Sequence, residues 1–291
     1  MIFYRKRKSI LYVLFLVLLC SLNSCVGSLY KKGAREFNTS TQIVLAGYQE
    51  IIDEYEKQGV IKEARSIHGA GINTEQDLSR ALLLDAHNEI IARRLLIKSL
   101  FVYSQALEAL ATLGTAQEIS DRFATLGDQL DRLKIEKAKS WSKIAANLSQ
   151  AFIEVKTGRT IRKIVIEADP AIQQIAKILQ EELQQMNPSL AMQYSAEWNK
   201  LRAELNEKSM QEGFGGSAES VALILEMKKQ LDKKEKIPEL TRKTTAALQR
   251  MAHAHSKLTT SARGKYKKAF RDELESYVKS AHDVEDVLSE L

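Results

Sequence analysis

The chain has 291 residues, with 43 Lys and Arg against 37 Asp and Glu, a formal net charge of +6, and 44% hydrophobic residues. Its only cysteines, Cys20 and Cys25, lie near the N-terminus, which excludes a disulfide framework or a thiolate metal cluster in the rest of the chain. The length permits one or two domains with a sizeable core, held by packing alone.

The first element is the N-terminal segment. Arg5-Lys6-Arg7-Lys8 precede an apolar run from Ile10 to Leu19, which Ser21, Asn23 and Ser24 end early. A permanent span needs roughly 20 apolar residues, so the run reads as a removable signal whose basic cluster stays on the cytoplasmic side. Leu22-Asn23-Ser24-Cys25 places an aliphatic, a variable and a small residue before a cysteine, and so resembles the lipobox of bacterial lipoprotein precursors.

The resemblance is confined to residues 1–26. It implies cleavage between Ser24 and Cys25, a diacylglycerol on the Cys25 thiol, and further acylation, such as palmitate, on the new amino group. Acyl chains contribute about 0.8 kcal/mol per buried methylene, so a protein carrying several is held stably on a membrane. Val26, where Asp would signal retention, favours the outer over the inner cell membrane by resemblance to Gram-negative sorting. An uncleaved signal anchor and plain secretion are the alternatives. Cys20 follows Leu18-Leu19 without a small residue and reads as membrane-helix filler.

Residues 1–24 hold four basic residues and no acid, so the remainder carries 39 basic against 37 acidic residues. That remainder is segregated in charge: residues 228–271 hold 14 basic and three acidic residues, whereas residues 272–291 hold seven acids and Lys279 alone. One reading pairs these stretches across neighbouring helices or solvates a bundle exterior. The other docks Lys228, Lys229, Lys233, Lys234, Arg263, Lys265, Lys267, Lys268 and Arg271 on an anionic surface, a phospholipid face or an acidic partner. Nucleic acid is excluded by the expected export and by the lack of interleaved aromatics.

Residues 25–36, with Gly27, Ser28 and Gly33, read as a lipidated tether. Phe37, Thr41, Val44, Tyr48, Ile51 and Tyr55 then form a helical stripe that Gly59 and Gly69-Ala70-Gly71 interrupt. Thr74-Glu75-Gln76-Asp77 resembles a capping box for a helix running to Leu113. Two apolar rows on that helix, Leu84-Ile91-Leu95-Val102 and Leu83-Ile90-Ile97-Phe101, predict burial against more than one neighbour. After Gly114-Thr115 a third helix carries the seam Ile119, Phe123, Leu126, Leu130 and Leu133, resumed at Trp141, Ile144, Leu148, Phe152 and Val155 beyond a stutter at Lys137. Thr157-Gly158 ends it.

Ile161 to Ile166 mixes both periods and is read as helix rather than strand. Asp169-Pro170 predicts a new helix with Asp169 as N-cap, and Asn187-Pro188 a further boundary. Ile172 to Met186 and Leu190 to Leu205 carry the stripes on either side. Residues 211–217, Gln-Glu-Gly-Phe-Gly-Gly-Ser, form the clearest loop. A short helix from Val221 to Leu231 leads to Pro238, and a last helix from Glu239 to Leu291 would be about 75 Å long. The expected class is all-α: an elongated multi-helix bundle with long antiparallel helices and coiled-coil-like packing over residues 37–291, with 157–170 as a candidate subdivision.

No catalytic constellation emerges. Among His68, His87, His253, His255 and His282 there is no HExxH, and His253-Ala254-His255 sends two imidazoles to different sides of a helix. His255, between Met251 and Leu258, reads as a hydrogen-bonded core histidine. The facing Glu-x-x-His pairs of di-metal bundles are absent from the sequence, and Glu181-Glu182 reads as a solvated face. Gly213-Phe214-Gly215-Gly216 lacks the Walker lysine. Trp141, Trp198, Tyr194 and Tyr277 read as core. No cofactor is expected.

The functional expectation is a lipid-anchored lipoprotein of the bacterial envelope, on the periplasmic or extracellular side. Its bundle would be a non-enzymatic scaffold for an envelope protein or an anionic partner. Two alternatives stand beside it: a membrane-active toxin or exclusion factor, and a ligand-binding or enzymatic domain with a dispersed site around His87, His255 or Arg94.

Overall fold

A computed structural model describes residues 32–59, 84–112, 161–212, 218–262 and 267–291. These form five helices that pack on one another: α1 (32–59), α2 (Leu84–Thr112), α3 (Ile161–Glu212), α4 (Ala218–Ala262) and α5 (Lys267–Ser289). There is no strand among the described residues, and the expected all-α bundle is what the chain forms. The leader, Ser24 and Cys25, the helix expected over 119–155, Trp141, His68 and the break at Thr157-Gly158 lie outside the described residues.

Side-chain bonds between helices fix their directions. Ser104 to Asn38 at one end, and Arg94 to Asp53 at the other, set α2 antiparallel to α1. Thr259 to the Val165 carbonyl, and Lys208 to Glu219, set α4 antiparallel to α3. Lys236 to Glu290, and Arg250 to Glu273, set α5 antiparallel to α4. The basic stretch thus lies partly under the acidic one, as the first reading of the charge split expects.

Helix α1 sits in the middle. Phe37, Val44, Tyr48, Ile51 and Ile52 are wholly buried, and only a narrow strip of residues such as Arg35, Thr39, Gln42, Ala46 and Asp53 meets solvent. Gly47 allows the closest approach: a Cβ there would lie 2.6 Å from Val284 Cγ1 and 2.9 Å from Thr244 Oγ1, so α1, α4 and α5 meet at a point that admits only hydrogen. The bundle also begins earlier than expected. Residues 32–36, assigned from sequence to the tether, are helical, with Gly33 against the Phe270 ring and Ala34 buried.

All three prolines contradict their expected role as boundaries. Pro170 and Pro188 lie inside the 52 residues of α3, and Pro238 inside the 45 of α4. A proline in a helix interior costs about 3 kcal/mol through a lost hydrogen bond and a clash. Here packing on both sides outweighs that cost. Ala168 and Ile172 flank Pro170, Met186 and Leu190 flank Pro188, and Ile237 and Leu240 flank Pro238, all of them buried. Pro170 and Pro188 themselves face solvent, where water can serve the orphaned carbonyls.

The continuous helix expected from Glu239 to Leu291 is instead two. The chain is described as α4 to Ala262 and runs back antiparallel as α5 from Lys267. Conversely, the short helix expected from Val221 to Leu231 is the first part of α4, which is about 68 Å long at 1.5 Å per residue.

Candidate functional site: a buried polar network and a projecting hairpin

The interior is wired by four buried tyrosines, each bonded to a polar side chain from another helix. In the first layer His255 of α4 is fully buried between Asp169 of α3 and Tyr103 of α2. Its Nδ1 lies 2.8 Å from Asp169 Oδ1 and its Nε2 2.6 Å from the Tyr103 hydroxyl. An ionised Asp169 can only accept, so Nδ1 carries a proton toward it, while Nε2 and the Tyr103 hydroxyl share the second hydrogen bond. Gln173 Nε2 donates to Asp169 and also, at 2.8 Å, to the Ala252 carbonyl, and the rings of Phe37 and Tyr103 tilt against the imidazole. Burial, then the Asp169 charge, pushes the Tyr103 hydroxyl far above its ordinary range.

Asp169 is therefore not an N-cap. Its carboxylate is spent on a histidine 86 residues away, inside a continuous helix. Chemically the triad resembles a base and its orienting acid. With both ring nitrogens engaged and no exposed surface, His255 orders three helices, as a core histidine would.

In the second layer Glu182 of α3 accepts from Tyr48 of α1 at 2.7 Å and from Arg93 of α2 at 3.0 Å. Burial, then the Glu182 charge, raises the Tyr48 hydroxyl well above its usual value. This overturns the solvated reading of Glu181-Glu182: Glu181 is exposed, but Glu182 is buried. In the third, Glu54 of α1 accepts from Tyr194 of α3 at 2.7 Å and from Lys233 of α4. Burial pushes the Glu54 carboxyl up, but the bonds from Lys233 and Tyr194 and the charges of Lys233 and Lys57 outweigh it, and hold it below 4.5. In the fourth, Thr41 and Tyr277 share a 3.0 Å hydrogen bond, and burial raises the tyrosine. Each layer ties together helices far apart in sequence, and removal of one partner would leave a buried polar group unpaired.

The remaining candidates do not converge on this network. Arg94 makes surface pairs with Asp53 at 2.8 Å and Glu56 at 3.0 Å, and the His87 side chain lies outside the described residues. His253 is exposed, and His282 is exposed beside Glu285. Among the described residues no group of His, Cys, Asp and Glu could hold a metal ion, and no helix is long and apolar enough to cross a membrane.

The nine basic residues do not form one surface. Lys228, Lys229 and Lys234 are exposed on α4, but Lys233 is taken by Glu54. Lys268 and Arg271 are exposed near the far end of the α4–α5 pair; the Arg250–Glu273 contact sets them about 20 helical residues, roughly 30 Å, from Lys234. Arg263, Lys265 and the Lys267 side chain lie outside the described residues.

What the sequence did not show is that the α3–α4 hairpin outruns the core. Past Leu201 on α3 and before Ile237 on α4, the only buried residue among those described is Gln230. Along the outer side of α4, Val221, Ile224, Leu225 and Leu231 are 49%, 52%, 62% and 41% exposed, and Met210 nearby on α3 is 87% exposed. Their spacing repeats at three and four residues, so they share one helix face. Leu225 also borders a shallow groove with Lys228, Lys229 and Asp232, closed by Glu290 and Leu291 of the C-terminus. Trp198, expected in the core, sits at the hairpin base, half-buried, with the Arg202 guanidinium 5.5 Å from its ring.

Fold and site together define an all-α bundle whose largely apolar interior is crossed by buried polar layers, with an apolar outer stripe on one hairpin. No protein-family model, curated protein or solved structure matches the chain.

Proposed function

We propose that the chain is a lipid-anchored bacterial envelope protein, exported to the periplasmic or extracellular side and held by acyl chains on Cys25. Its bundle acts as a non-enzymatic scaffold that engages a partner through the α3–α4 hairpin. The observation that carries the reading is the exposed stripe Val221-Ile224-Leu225-Leu231 on a part of α4 that leaves the core. An exposed apolar face, crossed by Lys228 and bordered by Lys229, marks a surface built to be covered. The anchor is supported by Leu22-Asn23-Ser24-Cys25 behind a short apolar run.

Capture of the full chain from its own envelope tests this. The wild type should retain partner protein, Leu225→Glu should lose it, and Cys25→Ala should move from the membrane to the soluble fraction. Equal capture by wild type and Leu225→Glu would remove the hairpin from the proposal. Membrane retention of Cys25→Ala would remove the lipid. The His255–Asp169 pair is the feature that an enzymatic reading would draw on. Substrate turnover abolished by His255→Gln, without loss of folding, would favour that reading.

A further inference from the structure

Resting on the reading of the hairpin as an interaction surface, we infer that its occupant is a second copy of this chain, paired antiparallel along the outer face of α4 between Glu219 and Lys233. Val221, Ile224, Lys228 and Leu231 succeed one another at spacings of three, four and three, the seam that a second helix fills. Lys228 fits such a seam by laying its aliphatic stem along it and turning its ammonium out. An antiparallel register centred near Glu226 sets Val221 of one copy against Leu231 of the other, and Ile224 against the Lys228 stem. A two-fold axis repeats each contact. Glu226, two residues from both Ile224 and Lys228, falls off the seam.

Charge selects this arrangement. Residues 204–226 carry five glutamates, Glu204, Glu207, Glu212, Glu219 and Glu226, against Lys208. Residues 227–236 carry five lysines against Asp232 and Glu235; Lys233 and Lys236 pair within the chain with Glu54 and Glu290, which leaves Lys228, Lys229 and Lys234 to face a partner. Antiparallel pairing lays the acidic end of each hairpin on the basic stretch of the other, whereas parallel pairing would superimpose like charges. The chain already uses this solution internally, where acidic α5 lies on basic α4 through Lys236–Glu290 and Arg250–Glu273. An anionic membrane is the poorer occupant, because the glutamates at the end of the hairpin would be driven into its negative surface potential.

The full chain in detergent, its protein mass measured by light scattering with the detergent contribution subtracted, gives the test. At about 100 μM, above the dissociation constants of small interfaces, wild type should hold two protomers per particle. Leu225→Glu and Leu225→Lys should each hold one. Leu225 lies beside the two-fold axis, so mixing these variants should restore the two-protomer particle through one glutamate and one lysine. Unchanged circular dichroism and melting would show that the substitutions at this exposed site leave the bundle folded. A one-protomer wild type, a Leu225→Glu particle that stays paired, or a mixture that stays separate overturns the proposal. If wild type holds one protomer yet captures envelope protein through Leu225, the second copy is wrong and the scaffold reading stands. Leu225-dependent binding to phosphatidylglycerol vesicles by a one-protomer chain would assign the stripe to lipid instead.

Discussion

Gly47→Ala tests the packing on which the bundle depends. In an exposed helix the change would stabilise by up to about 1 kcal/mol, because alanine restricts the unfolded chain and favours helix. At this position the new methyl would sit 2.6 Å from Val284 Cγ1 and 2.9 Å from Thr244 Oγ1, while ordinary carbon contacts begin near 3.5 Å. Val284 and Thr244 are both wholly buried, so relief requires α4 or α5 to move or a side chain to leave its rotamer. Overpacking of this kind costs about 1–3 kcal/mol or more, and two simultaneous clashes place it at the upper end. After the propensity gain the expected net loss is about 2 kcal/mol, a fall in Tm of roughly 4–8 °C for a body this size. Urea titration of the full chain measures it. Gly59→Ala, where nothing lies within 4 Å, provides the contrast and should be neutral or stabilising. Val284→Ala combined with Gly47→Ala should recover part of the loss, with a favourable coupling of about 1 kcal/mol. Equal stability of Gly47→Ala and Gly59→Ala, or purely additive effects with Val284→Ala, would refute the three-helix contact.

Three further outcomes concern the interior. Tyr103→Phe strips the partner from His255 Nε2 in a fully buried site and should cost about 1–3 kcal/mol in urea titration; a neutral result would show that the bond is not formed. Pro188→Ala should stabilise by about 1–3 kcal/mol, because it restores a helical N–H at a solvent-facing position, and a loss would mean that the helix needs the kink. Glu54 is held below 4.5 in the folded chain, so its contribution is complete above the unfolded value and fades as pH falls through the folded one. Glu54→Gln should therefore be less stable than wild type at neutral pH, with the gap narrowing below 4.5; a gap that does not change with pH would contradict the Lys233–Glu54–Tyr194 layer.

The all-α class was legible because it rests on local spacing. The stripe from Phe37 to Tyr55, the position of His255 between Met251 and Leu258, and the pairing of the basic stretch with the acidic C-terminal helix all come from residues that lie close in sequence or carry a block of like charge. The misreadings share the opposite property. Pro170, Pro188 and Pro238 are strong local stop signals, overruled by packing partners that no local window contains. Glu182 looks like its exposed neighbour Glu181 until Arg93 and Tyr48, from 89 and 134 residues away, are brought to it. The division of the last helix into α4 and α5 was missed because apolar spacing continues on both sides of it, while the ion pairs that set the two helices antiparallel join residues 23 and 54 apart.

The hairpin joins these two lessons. The sequence shows a helix from Val221 to Leu231, yet only the structure shows that it carries an exposed apolar stripe and leaves the core. The layer formed by Glu54, Tyr194 and Lys233 marks the point of departure, since beyond it the described residues of α3 and α4 bury little. Inside that point, the tyrosine layers are buried and hydrogen-bonded; outside it, apolar groups are exposed. A layer that ties α3 and α4 to α1 through a carboxylate, a tyrosine and a lysine accepts one alignment, and so fixes the direction in which the hairpin projects. In the proposed scaffold the two parts divide the work: the ionic interior makes the body a rigid base, and the stripe supplies the adhesion. Weakening the layer with Tyr194→Phe should therefore loosen the hairpin before the core. The measurable consequence is faster amide exchange between Leu201 and Ile237, with the protection of α1 unchanged.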